Sequence, residues 1–149
     1  MGHLDFRLAV RGPAASRAAL LAYLQARMHV EDGDAAVYLC DAVWGVAVQF
    51  PRDYVDGGGQ GEPAVRDDGE RVVTAWGRCC AASANCHVLA LALTAQFEGL
   101  TAMLLTEDEA WDLRATHYAA GAAAAVGSFD GREGSQEEDA WVSDMLAQA

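Results

Sequence analysis

Apolar and polar residues alternate at the start of the chain. Leu4, Phe6, Leu8 and Val10 fall on one side of an extended backbone, with Asp5 and Arg7 on the other, the pattern of a half-buried strand. Gly12-Pro13 ends this run and opens a helix, because a proline in the first turn gives up an N–H that would have no partner there. Leu20, Leu21, Leu24 and Met28 then recur at helical spacing, and Glu31-Asp32-Gly33-Asp34 closes the unit. From Ala35 to Pro51 period two returns through Val37, Leu39, Trp44, Val46, Val48 and Phe50. Gly45 marks a candidate bulge, and the pattern leaves open whether Asp41-Ala42 divides the run into two strands.

Residues 51–69 form the longest irregular stretch, with Gly57-Gly58-Gly59-Gln60-Gly61 at its centre. Such glycine content predicts a mobile loop. Glu70 to Trp76 reads as a strand and Ala84 to Phe97 as a helix whose face carries Cys86, Leu89, Ala90, Leu93 and Phe97. Gly99 stands where a C-terminal cap belongs. Leu100 to Leu105 is again a strand, and Asp112–Ala119 and Ala122–Phe129 form a hairpin around Ala120-Gly121. A flexible joint is expected over Gly127–Gly134. The last helix then has Ser135 and Glu138 at capping-box spacing and an apolar stripe of Trp141, Val142, Met145 and Leu146.

This order predicts an α+β fold: a ferredoxin-like βαββαβ sheet with an added C-terminal β-hairpin and a terminal helix. Residues 1–129 would form the ferredoxin-like domain, and 130–149 a linker with an amphipathic helix. A lone helix of that length is marginal in water. Its stripe must therefore cover the sheet's open face or another chain, and tethering favours the sheet.

Charge narrows the function classes. The formal net charge is −12, and all ten basic residues are arginines. Phosphate backbones and anionic membranes repel such a surface, so direct nucleic-acid binding and membrane association are disfavoured. A basic protein surface is its natural complement. Met1-Gly2-His3-Leu4-Asp5 has neither the basic start nor the apolar run of a signal peptide, and no apolar stretch approaches bilayer length. With four cysteines in no regular framework, the expected location is the cytoplasm.

Candidate chemistry is sparse. Cys79, Cys80, Cys86 and His87 lack the second separated pair of a zinc site, and Cys86 lies on an apolar helix face where a thiol packs as a small core residue. A nucleophilic pair of Cys79 or Cys80 with His87 or His117 has no identifiable orienting partner. No calcium-loop pattern surrounds Glu107, Asp108, Glu109 and Asp112, and no Lys-Ser/Thr follows the glycine run to make a phosphate loop. No cofactor or metal is therefore expected, and no catalytic residue is assigned. The acidic turn itself, Glu107, Asp108, Glu109 and Asp112 with Trp111, is the candidate partner-binding site.

Thr74-Ala75-Trp76-Gly77 carries a more particular signal. With Gln96-Phe97-Glu98-Gly99-Leu100-Thr101, an acidic residue at Glu107 or Glu109, Tyr118-Ala119-Ala120-Gly121 and the opening Gly12-Pro13, it resembles the YubB ferredoxin-like family of phage and plasmid proteins, also called Api92-like. The family's Trp-Gly-Thr-Lys-Trp stretch stands here as Trp44-Gly45-Val46-Ala47-Val48, and its Ser-Pro-Pro after the tryptophan as Arg78-Cys79-Cys80. The resemblance implies a mobile-element accessory protein and transfers no catalytic residue. Joined to the acidity, it implies a non-enzymatic inhibitor of a host defence complex, of anti-CRISPR or antirestriction type, that occupies a basic nucleic-acid-binding surface. The alternatives are a small cytosolic enzyme using Cys/His chemistry and a homodimeric ferredoxin-like module that binds a ligand.

Overall fold

The computed structural model describes residues 2–30, 36–51, 63–131 and 134–149. Its architecture is mixed α+β: three helices and one large antiparallel sheet of ten strands among the described residues. β1 (His3–Arg11) forms where alternation predicted it and becomes the sheet's central strand. α1 (Ala14–Ala26) follows, then β2 (Met28–Val30), β3 (Ala36–Asp41), β4 (Val46–Pro51), β5 (Val65–Asp67), β6 (Arg71–Thr74) and β7 (Gly77–Cys80). α2 (Asn85–Gln96), β8 (Thr101–Glu107), β9 (Leu113–Ala119), β10 (Ala122–Phe129) and α3 (Gln136–Ala147) complete the chain.

The sheet runs β10-β9-β8-β1-β7-β4-β3-β2, with β6 also paired to β1 and β5 to β6. Along one flank β1 meets β8 without interruption from Asp5↔Glu107 to Arg11↔Thr101. Along the other it meets β7 through Phe6↔Gly77 and β6 through Ala9↔Val73. Three residues, Thr74 to Trp76, thus face two, Arg7 and Leu8, which is the count of a β-bulge. Thr74 repairs the break: its buried hydroxyl accepts from the Leu8 N–H at 3.0 Å and donates to the Ala75 carbonyl at 2.9 Å.

β1 serves both faces of the sheet. Phe6, Leu8 and Val10 join the larger core under α1 and α2, with Leu20, Leu24, Phe50, Leu89 and Leu93. Ala9 points the other way, into a smaller core with Met103, Leu105, Leu113 and Ala115, closed by Val142 and Leu146 of α3. The terminal helix therefore docks on its own sheet. Ser135 caps it by accepting from the Glu138 N–H at 3.1 Å. At its other end Arg71 donates to the Leu146 carbonyl at 3.0 Å and Arg11 to that of Ala147 at 3.4 Å, cations placed where the helix dipole favours them.

Several sequence expectations need correction. Met28 does not extend α1; it opens β2, which pairs with Val37–Leu39. Asp41-Ala42 does divide the 35–51 run, and Trp44 sits in the intervening turn stacked on Tyr23, with ring centroids 4.5 Å apart. Gly45, at φ 70°, is a turn residue there and not a bulge. The irregular stretch 51–69 contains β5, held by pairing to β6; residues 52–62 of it, like Glu31 to Asp34, lie outside the described residues. β7 was unforeseen because Gly77 reads as a strand terminator. Here glycine is required, since a Cβ at Gly77 would stand 2.7 Å from the rings of both Phe6 and Phe50. β10 has the Ala122–Phe129 bounds expected of the second hairpin strand, with a register shift between Ala125 and Gly127, so the joint expected from Gly127 begins only after Phe129; residues 132 and 133 are not described.

Candidate functional site

The acidic turn joins β8 to β9, and its internal bonds decide which side chains face outward. The Asp108 carboxylate accepts from the Ala110 N–H at 2.9 Å and the Asp112 N–H at 3.0 Å, so it builds the turn. Asp112 is bound to Arg114 at 2.6 Å. Glu109 takes the backbone N–H of His3 at 3.0 Å and lies 2.9 Å from its Nδ1. Glu107 closes β8 and turns toward α3, where it lines a groove. Trp111 is different. It is 65% exposed and has a φ of 62°, a left-handed conformation that a bulky residue adopts only under constraint.

Tertiary structure enlarges the acidic region beyond the turn. α3 begins with Glu137, Glu138 and Asp139 in its first turn, and Glu138 and Asp139 share with Glu107 and Asp5 the groove between helix and sheet. Sequence reading named the first segment and missed the second. The first-turn carboxylates were legible only as helix-dipole partners, and their approach to β8 depends on where α3 docks.

The cysteines divide by strand geometry. Cys79 and Cys86 are buried, while Cys80, one residue along β7, points to the opposite face and is exposed. The Cys86 thiol, hydrogen-bonded to Cys79, draws the Cys79 pKa below the ordinary thiol value, and the same contact with burial pushes Cys86 upward. Backbone N–H groups of Ser83 and Ala82 directed at the Cys80 sulfur lower its pKa as well. Behind this region, His87 Nδ1 is hydrogen-bonded to the Tyr118 hydroxyl. Burial lowers the His87 pKa and raises that of Tyr118 to about 12.

Cys80 stands directly opposite His3 in the β1–β7 ladder, and His3 is in turn held by Glu109. Neither His87 nor His117 occupies that position. Cys80 and His3 share a shallow hollow of about 310 Å³ with Tyr38, Gln49 and Arg78. Their adjacency is a property of strand register alone, across 77 residues of sequence, and no local motif announces it. No group of three or more possible metal-ligating side chains occurs among the described residues, and no helix among them is long and apolar enough to cross a membrane. Comparison with protein-family models, with curated proteins and with solved structures gave no match.

Proposed function

We propose that the protein is a non-enzymatic binding module whose acidic face, centred on Trp111, occupies a basic protein surface. The observation that carries this reading is Trp111 itself. A left-handed backbone at a bulky residue costs free energy, and neither core cluster among the described residues includes the ring. Large aromatics in this situation serve as anchors in protein interfaces. The carboxylates around it, and those of the α3 first turn, supply the field that would steer a basic partner to the anchor.

The resemblance to the YubB ferredoxin-like family gives the partner its class: a host defence complex of a cell invaded by a phage or plasmid. The core strand order β8-β1-β7-β4, with β1 between the two strands that α2 connects, supports the ferredoxin-like reading of the fold. A CRISPR effector or restriction enzyme holds DNA on a basic surface, and an acidic protein with an aromatic anchor competes for it. The test is a competition assay. Purified effector or restriction enzyme is bound to labelled DNA and titrated with the protein at several salt concentrations. Displacement that weakens with salt, and that falls at least tenfold for Trp111→Gly, is expected. Undiminished DNA binding at saturating protein would refute the reading.

The second reading, a small enzyme, is favoured by one observation: Cys80, His3 and Glu109 in the order nucleophile, base and orienting carboxylate. Alkylation rates measured against pH separate the two readings. A Cys80 rate that falls in His3→Gln supports the pair, and an unchanged rate leaves Cys80 an ordinary surface thiol.

A further inference from the structure

β10 closes one end of the sheet and pairs with β9 alone, so its outer backbone edge has no partner among the described residues. The two-residue turn fixes which groups stand on that edge. Ala119 and Ala122 flank Ala120-Gly121 as the closing hydrogen-bonded pair, and from there inward and outward bonding alternate. Ala124 therefore bonds inward opposite His117, while Ala123 and Ala125 direct their N–H and C=O groups outward. The register shift between Ala125 and Gly127 twists the strand beyond that point and bounds the open edge.

Exposed edge strands are commonly blunted by charged side chains, proline or a covering segment. Ala122-Ala123-Ala124-Ala125-Val126 carries neither charge nor proline and is exposed throughout. An apolar side chain stands above it. His87, Leu91 and Ala95 form one row along α2, four residues apart. His87 bonds Tyr118, whose ladder partner is Ala123, and Ala95 lies against Gly121. Leu91 falls between them, over the edge, and is 42% exposed.

Charge selects the occupant. From Ala115 to Phe129 there is no Asp, Glu or Arg, in a chain of formal charge −12. Two copies repel each other wherever their carboxylates meet, and along this edge they approach without such contacts. A basic partner finds no carboxylate on the strand to bind. An antiparallel edge is also self-complementary about a twofold axis. We propose that the protein forms a homodimer through β10, its two sheets joining into one across a twofold axis at Ala124. Ala123 of each copy exchanges both backbone bonds with Ala125 of the other, and the two Leu91 side chains approach over the joint. Pairing occupies both β10 edges, and the opposite edge of the sheet, β2, is a strand of only three residues, so assembly stops at two copies. The contact does not involve Trp111, so this inference does not depend on the proposed binding module.

Sedimentation equilibrium of the intact chain over a range of protein concentrations tests it. A monomer–dimer equilibrium is expected, tightening roughly threefold between 10 and 300 mM NaCl as repulsion is screened. Amide exchange should slow at Ala123 and Ala125 as protein concentration rises, while Ala122 and Ala124, already bonded to β9, stay unchanged. Ala125→Pro removes an outward donor and spares the β9 ladder; Ala124→Glu sets two carboxylates at the axis with the backbone unaltered. Each should weaken dimerisation about tenfold or more, and Trp111→Gly should leave it unchanged. A monomer at every concentration would leave the edge to a foreign strand or to solvent and overturn the inference. So would a dimer that persists in both β10 variants, one that loosens with salt, or assembly beyond two copies.

Discussion

Asp41 shows how one side chain couples three elements. It ends β3, and its Oδ1 accepts from the Val43 N–H at 3.0 Å to form the turn into β4. Its Oδ2 accepts from the Tyr23 hydroxyl of α1, and Arg27 stands 3.6 Å away with its guanidinium over the Tyr23 ring. Burial alone would raise the Asp41 pKa. Hydrogen bonds from Tyr23 and Val43 and the charge of Arg27 outweigh that effect and hold it below the usual carboxylate value. The sign follows from linkage: a depressed folded-state pKa contributes stability above the unfolded value, near pH 4, and that stability is lost as pH falls through the folded one. Asp41→Asn is therefore expected to cost about 2 kcal/mol at pH 7, typical of hydrogen bonds to a charged group. Its urea midpoint should converge on that of the parent protein below pH 4. A difference that stays constant down to pH 3 would show that the carboxylate's charge is not what stabilises the turn.

At the scale of elements, α3 is the decisive piece. Its stripe was visible as a helical repeat, and its destination is the face of β1, β8 and β9 that would otherwise expose Met103, Leu105 and Leu113. Val142 and Leu146 are each buried there, a contribution of about 2 kcal/mol apiece. A chain truncated before Gly134 should lose both terms and the arginine contacts at the helix end. Its melting temperature should fall by about 10 °C, taking 2–4 °C per kcal/mol for a chain of this length. Calorimetry with light scattering checks this. A truncated protein with unchanged melting but an altered oligomeric state would mean that α3 covers another chain in solution.

The whole molecule carries a formal charge of −12, and its described ion pairs are mostly at the surface, where each contributes little. Self-repulsion should then dominate the response to salt. Between 10 and 300 mM NaCl the screening length shortens from about 30 Å to under 10 Å. The melting temperature should rise by roughly 2–4 °C, equivalent to about 1 kcal/mol. A fall over the same range would mean that the arginine–carboxylate pairs outweigh the repulsion. What local pattern determines here is what short-range physics fixes. Alternation placed β1, helical spacing placed α2 and the stripe of α3, and Ala120-Gly121, at φ 51° and 73°, made the predicted hairpin turn; Gly99, expected to cap α2, lies instead in the turn beyond the cap residue Phe97. Charge and the exposed acidic turn are likewise legible, because they depend on neighbours along the chain. The rest was decided by contacts between distant segments. Gly77 continues a strand because two phenylalanine rings fill the space of its absent side chain. Cys80 meets His3 through register, and Arg7 shares a groove with Glu138 and Asp139 only because α3 folds back over β1. No periodicity encodes such juxtapositions; they arise when apolar burial selects one docking of the helices on the sheet, and the polar groups are carried into place with it.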